Sequence, residues 1–229
     1  MAGTVPVMAQ IAGEQTGTRS HARRNHQRLV DAAREVFSEQ GVDAPLEAIA
    51  RRASVGIATL YRHFSTREAL VEAILERRIG DLVAVAETAA AETDGWTALE
   101  QMVRRTLELQ ASDRVLKEIV LRYPPSPGRL ASAREDLRAL FEQVLGRARA
   151  DGSLRADFTV SDLALLLWSF GPVMDATAGV APDAWRRHLH LLLDGLRADA
   201  ATPHAGPPLS DDELQASMRA LREAQRRRR

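Results

Sequence analysis

From Arg23 onward the chain falls into a helical rhythm. Leu29, Ala33, Val36 and Phe37 recur at i, i+4, i+7 and i+8, the spacing of one apolar helix face, and Gly41 marks where that helix should end. Leu46, Ile49, Ala50 and Ala53 repeat the pattern beside Pro45, a residue suited to a first helical turn. Ser54-Val55-Gly56 then breaks the pattern, and residues 57–63 allow about two more turns. Ser65-Thr66-Arg67-Glu68 has the S-x-x-E form of a capping box and predicts a long helix whose stripe runs from Leu70, Ile74 and Leu75 to Leu82, Val83 and Ala86. That helix should stop before Thr93-Asp94-Gly95.

Further helical patterns cover residues 96–110, 113–122 and 129–150, the last two parted by Pro124, Pro125, Pro127 and Gly128. Residues 159–179 are apolar on nearly every side, at Leu163, Leu165, Leu166, Leu167, Trp168 and Phe170, which demands burial on several faces. Gly171-Pro172 should kink this helix. Residues 182–198 carry Trp185, Leu189, Leu192, Leu193 and Leu196 as one stripe, suited to an antiparallel partner helix. Residues 1–20 show no periodicity and read as a flexible arm. Residues 199–209, with Pro203, Gly206, Pro207 and Pro208, read as a linker. Ser210 and Glu213 can cap a last helix that runs into Arg226–Arg229, a basic tail.

Composition sharpens this picture. The 229 residues are 45% hydrophobic, mostly Ala, Leu and Val, and only 4% aromatic, so helix is favoured over sheet and the fold class expected is all-α. With no cysteine, disulfide scaffolds, thiolate metal sites and cysteine nucleophiles are excluded. Lys117 is the sole lysine, and it lies in no G-x-x-x-x-G-K loop; G-x-G-x-x-G and G-x-S-x-G are absent too. No Glu precedes a His by three residues, and His188 and His190 fall on different helical faces, so neither a di-iron motif nor a histidine metal pair is formed. The chain is therefore expected to be neither an enzyme nor a holder of metal or cofactor. No apolar run is long enough for a membrane span and the first twenty residues do not have the form of a signal peptide, so a cytoplasmic location is expected. Net charge is +0 overall, yet residues 19–67 hold nine Arg against five acids. Such an excess is compatible with a solvated face or with a polyanionic partner.

The block 46–63 has the spacing of a helix-turn-helix, in which the second short helix enters a major groove about 12 Å wide. A buried helical hairpin is the alternative for a pattern this short. The run Ala53-Ser54-Val55-Gly56-Ile57-Ala58-Thr59-Leu60-Tyr61-Arg62-His63-Phe64-Ser65-Thr66-Arg67-Glu68-Ala69-Leu70 resembles the signature of the TetR family of transcriptional regulators, and Ala32-Ala33, Phe37, Gly41 and Ile49-Ala50 fit that family's first two helices. The resemblance covers about residues 24–76. It implies about nine helices, an amino-terminal three-helix DNA-binding unit, a carboxy-terminal helical unit for ligand binding and dimerisation, and a homodimer. The expected division is an arm at 1–20, a helix-turn-helix domain at 21–66, a regulatory domain at 67–198, and a linker and tail at 199–229. The carboxy-terminal half offers no matching motif.

Carried over by position, Ile57, Ala58, Thr59, Tyr61, Arg62 and His63 lie on the recognition helix, and Arg67 opens the next helix. Tyr61, His63 and Arg67 are expected at phosphates, with Thr59 and Arg62 nearer base edges. Arg19, Arg23 and Arg24 suit either a minor-groove arm or plain solvation. Ser54 stands where such a turn commonly has Gly, and a left-handed Ser costs on the order of 1 kcal/mol. The start of the second helix, Asp43-Ala44-Pro45, gives no cap to which a phosphate contact can be assigned.

A pseudo-palindromic operator, read by two recognition helices roughly 34–36 Å apart, requires a dimer. Leu163, Leu166, Leu167, Trp185, Leu189, Leu192, Leu193 and Leu196 are candidates for its interface, core packing within the chain being the other use of such residues. Trp96, Met102, Leu116, Tyr123, Phe141, Phe170 and Met174 are candidates for lining a cavity for a small-molecule effector, although residues of this kind also fill ordinary cores. The expected function is a homodimeric repressor released from DNA by that effector. A helical interaction protein that binds a protein partner is the competing class.

Overall fold

The computed structural model describes residues 8–113, 119, 130–202 and 206–227, which are helical almost throughout. Nine α-helices are seen among them: α1 (Met8–Gln40), α2 (Leu46–Arg52), α3 (Ile57–His63), α4 (Arg67–Ala90), α5 (Gly95–Ser112), α6 (Ala131–Ala150), α7 (Val160–Thr177), α8 (Ala184–Asp194) and α9 (Asp211–Arg227). An isolated bridge between Leu154 and Arg197 is the one β-type pairing among the described residues. The chain divides into two compact units, Met1–Leu75 and Glu76–Arg229. The helix expected at 113–122 and the proline-rich break after it lie almost wholly outside the described residues.

In the first unit the predicted stripes meet. Leu29, Ala33, Val36 and Phe37 of α1, Ile49 and Ala50 of α2, Leu60 of α3, and Leu70 and Ile74 of α4 are all buried to within a few per cent. The helix begins at Met8, well before Arg23, so residues 8–20, expected as an arm, are helical and continuous with the rest of α1. Gly41 ends α1 at φ 83°, and its N–H returns to the Phe37 carbonyl at 2.9 Å. Pro45 is the residue before α2 rather than its first helical residue, and it offers no side-chain cap. At α4 the capping hydroxyl is that of Thr66, which accepts from the Ala69 N–H at 3.1 Å. The S-x-x-E box expected from Ser65 is thus displaced by one residue, putting Ala69 in place of Glu68 at the third helical position.

α2 ends in a Schellman turn. The Val55 N–H donates to the Ala50 carbonyl at 3.0 Å and the Ser54 N–H to the Arg51 carbonyl at 3.1 Å, which forces Ser54 to φ 54°. The same turn closes α6 with Gly152 at φ 73°. Ser54 therefore bears a strain that Gly152 does not. Ser54→Gly is expected to stabilise the first unit by about 1 kcal/mol, seen as a higher urea midpoint with an unchanged slope.

The second unit is built on a cluster in which Leu99, Met102 and Leu107 of α5, Val144 and Leu145 of α6, Leu163 and Phe170 of α7, and Trp185, Leu189 and Leu193 of α8 are buried. Asp94 caps α5 by accepting from the Thr97 N–H at 2.7 Å. Thr159 and Asp162 form a reciprocal capping box on α7. That helix runs without a break through Pro172, which is exposed. The segment after α8 is stitched back: the Arg155 N–H donates to the Leu196 carbonyl at 3.0 Å, and its guanidinium to the Thr202 carbonyl at 2.7 Å. The first part of the expected linker is therefore held in place. Ser210 and Glu213 cap α9 as expected, the Ser210 N–H donating to Glu213 Oε2 at 2.8 Å and the Glu213 N–H to Ser210 Oγ at 3.3 Å.

Candidate nucleic-acid interface

α3 is anchored by one face. Leu60 is completely buried and Phe64, just past its end, is 3% exposed, while Ile57, Ala58, Tyr61 and Arg62 lie open to solvent. Thr59 and His63 are half-buried at the edge of that face. Four of the six recognition-helix candidates are thus exposed together, and the other two flank them.

The surroundings of α3 are held by long-range bonds from arginines. Arg67 donates from Nη1 to the Val42 carbonyl at 2.7 Å and from Nη2 to the Ala44 carbonyl at 2.8 Å, with its guanidinium 5.7 Å from the centre of the Phe37 ring. Arg67 thereby ties the α1–α2 turn to the start of α4. Arg28 of α1 donates to the Ala53 carbonyl at the end of α2. Arg52 of α2 spans Glu35 at 2.9 Å and Glu39 at 2.6 Å on α1. The bonds to Arg52 hold the Glu39 carboxyl below the usual carboxylate range, and the two carboxylates push the Arg52 guanidinium further up. Part of the basic excess of residues 19–67 is therefore spent inside the unit. Sequence reasoning missed these roles because a guanidinium on a distant carbonyl leaves no periodic signal.

His63 sits beside a second imidazole. Its ring centre is 6.0 Å from that of His26 on α1, edge-on, and 6.3 Å from Phe64; His26 in turn lies 4.7 Å from Phe64. Burial lowers the proton affinity of His63 first, and the neighbouring His26 and Arg62 lower it further. The neutral form of His63 is therefore favoured in the free protein.

The carboxy-terminal candidates separate differently. Trp96, Met102 and Phe170 are buried, and Phe141 and Met174 are partly buried against the same cluster; Leu116 and Tyr123 lie outside the described residues. Of the interface candidates, Leu163, Trp185, Leu189 and Leu193 are only 1–3% exposed, inside the chain's own core. They are thus not available as a surface. Leu166, Leu167, Leu192 and Leu196 pack partly against that core. The apolar side chains that α7 and α8 leave open are Leu165 and Leu191, the latter 58% exposed. The stripe read along α8 is the inward one, because the apolar period marks the most buried face.

Among the described residues no helix is long and apolar enough to cross a membrane. The geometry defines a helix-turn-helix unit with an exposed second helix, followed by a second, all-helical unit. Residues 29–74 match the family model of bacterial regulatory proteins of the tetR family, and residues 94–198 match that of the SbtR-like transcriptional regulator C-terminal domain. A crystal structure of a TetR transcription regulatory protein from Mycobacterium vanbaalenii is 31% identical, with TM-score 0.61, over 79% of this chain and 99% of that one. The HTH-type transcriptional repressor KstR of Mycobacterium tuberculosis is 27% identical over 66% of this chain and 69% of its own length. The uncharacterised HTH-type regulator TtgW of Pseudomonas putida is 44% identical over 62 residues, and the chain spans 46% of its length. The chain belongs to the TetR family of transcriptional regulators. The second family match supplies a relationship for the carboxy-terminal half that no motif in the sequence revealed.

Proposed function

We propose that this protein is a homodimeric repressor that reads a pseudo-palindromic DNA site and is released from it by a small-molecule effector. The observation that carries the reading is the open face of α3, where Ile57, Ala58, Tyr61 and Arg62 are exposed on a helix fixed by the buried Leu60. Arg62, and Thr59 beside it, face base edges; Tyr61 and His63 face phosphates. Arg67 takes a positioning role, since two of its donors already hold the α1–α2 turn. Family membership supports DNA binding, and the repressor among its relatives supports repression as the mode.

The dimer forms through the outer faces of α7 and α8, around Leu165 and Leu191, flanked by the partly open Leu166, Leu167 and Leu192. The effector binds among Trp96, Met102, Phe141, Phe170 and Met174 of the second unit, and acts by preferring the dimer spacing that does not fit DNA. α4 belongs to both units, its first residues to one and the rest to the other, and is the element through which such a preference would pass.

Two measurements test this. Sedimentation of the purified chain should give a dimer, and Leu165→Glu with Leu191→Glu should give a folded monomer. Titration of a duplex enriched from genomic fragments should show log K falling linearly with log salt, at about −0.9 per phosphate contact. A monomeric wild-type chain, or duplex binding without sequence preference at every salt concentration, contradicts the reading.

A further inference from the structure

The pairing of His26 with His63 lies at the rim of the core. His26 is exposed, His63 is half-buried at the rim of the α3 face, and both rings rest against Phe64, with their centres 6.0 Å apart. Each neutral imidazole can offer one N–H, and each protonated one can offer two. A phosphodiester carries one negative charge shared by two non-bridging oxygens, which can accept from two such donors. Along α1, His26 lies between Arg28 and the hydrogen-bonded pair His21 and Arg24, and Arg62 precedes His63 on α3. The groups whose charge bears on His63, His26 and Arg62, carry the same sign as the proton it would accept.

We propose that His26 and His63, one from α1 and one from α3, form a two-imidazole clamp for a single DNA phosphate, so that duplex binding is coupled to proton uptake. The proposal rests on the reading of α3 as the DNA-facing helix and adds His26, which the sequence pattern does not single out, as a contact residue. In the free protein, burial and like charge oppose a proton on His63. A phosphate seated on the open rim beside the two rings reverses that balance by placing negative charge next to both. The bound state then holds protons more tightly than the free one, so affinity rises as pH falls, by up to about tenfold per pH unit for each proton taken up. Acting in the opposite direction, deprotonation above that range leaves two neutral donors and a weaker grip.

The test is fluorescence anisotropy of the full chain with a labelled duplex enriched from genomic fragments, at constant ionic strength from about pH 8 to about pH 6. The wild-type chain should bind more tightly at the acid end, His63→Gln and His26→Gln should each flatten the profile, and the double variant should be nearly flat. Circular dichroism over the same range checks that each variant stays folded. A wild-type profile without slope, or a His26→Gln profile that superimposes on it, overturns the clamp while leaving α3 as the reading helix. Absence of selective binding by the wild-type chain at every pH overturns the helix-turn-helix reading itself, and the clamp with it.

Discussion

Gly95→Ala should destabilise the second unit by about 3 kcal/mol, the upper end of what overpacking costs. A Cβ on Gly95 would stand 2.7 Å from the Ala148 Cα and 2.8 Å from the Ala148 nitrogen, closer than real methyl groups come to backbone, and against Asp151 Oδ2 as well. Backbone inside α6 cannot swing aside as a side-chain tip can. The close approach exists because the Gly95 N–H donates to Asp151 Oδ2 at 3.0 Å, and Arg147 from the same helix donates to the carbonyls of Ala90, at 2.9 Å, and Glu92. These bonds fasten the α4–α5 corner onto the end of α6. Hydrogen bonds from Ser153 first, and that of Gly95 last, hold the Asp151 carboxyl below the usual carboxylate range. Gly146→Ala, on α6, is the control: nothing lies within 4 Å of a Cβ added there, so it should stabilise by up to about 1 kcal/mol. Urea unfolding of the two variants should therefore move the midpoint in opposite directions. A Gly95→Ala midpoint equal to that of the parent would show that the corner is not packed as described.

Arg62→Ala and Arg67→Ala should fail in different ways, although both arginines stand in the same stretch of sequence. Arg62 is exposed, so its loss should leave the melting curve unchanged and weaken selective duplex binding by about 1–3 kcal/mol, roughly five- to 150-fold, with relaxed sequence preference. Arg67 holds two carbonyls of the α1–α2 turn, and its loss should cost about 2 kcal/mol of stability in the first unit. Any effect of Arg67→Ala on duplex binding should then follow the loss of fold and leave sequence preference unchanged. Equal melting curves with a loss of binding confined to Arg67→Ala would return that residue to a phosphate.

The helices themselves were legible because burial imposes a period on the chain. Leu29 to Phe37 and Leu46 to Ala50 fall on helices that turn those faces inward, and the stripe read over 182–198 falls on the shorter α8 as far as Leu193, with Leu196 past its end. The turn at Ser54 was legible down to its strain, because such a turn commonly has a Gly in the left-handed conformation that Ser54 adopts at φ 54°. What the pattern could not tell was which use a buried stripe serves. Trp185, Leu189 and Leu193 read equally well as interface and as core, and the fold puts them in the core. The early start of α1 was hidden because a helix without an apolar face has no period to detect. Arg28 and Arg67 were hidden for a related reason: their partners are backbone carbonyls 23 to 25 residues away, and any residue type supplies a backbone carbonyl. Gly95 was hidden because the close approach that requires it is to the Ala148 backbone, which any residue type also supplies. The recognition helix was legible as a resemblance, whereas a ligand cavity asks only for apolar residues and leaves no motif in the second unit.

The measurement that bears most directly on the central claim is selection of genomic fragments by the purified chain, beside a variant carrying Arg62→Ala and His63→Ala, at several salt concentrations. The account predicts that the parent enriches a pseudo-palindrome whose half-sites are centred about one DNA turn apart, roughly 34–36 Å, and that the variant, folded and dimeric, enriches nothing. Enrichment of the same site by both chains, or of no site by a folded, dimeric parent even at low salt, would contradict the assignment of α3 as the helix that reads DNA.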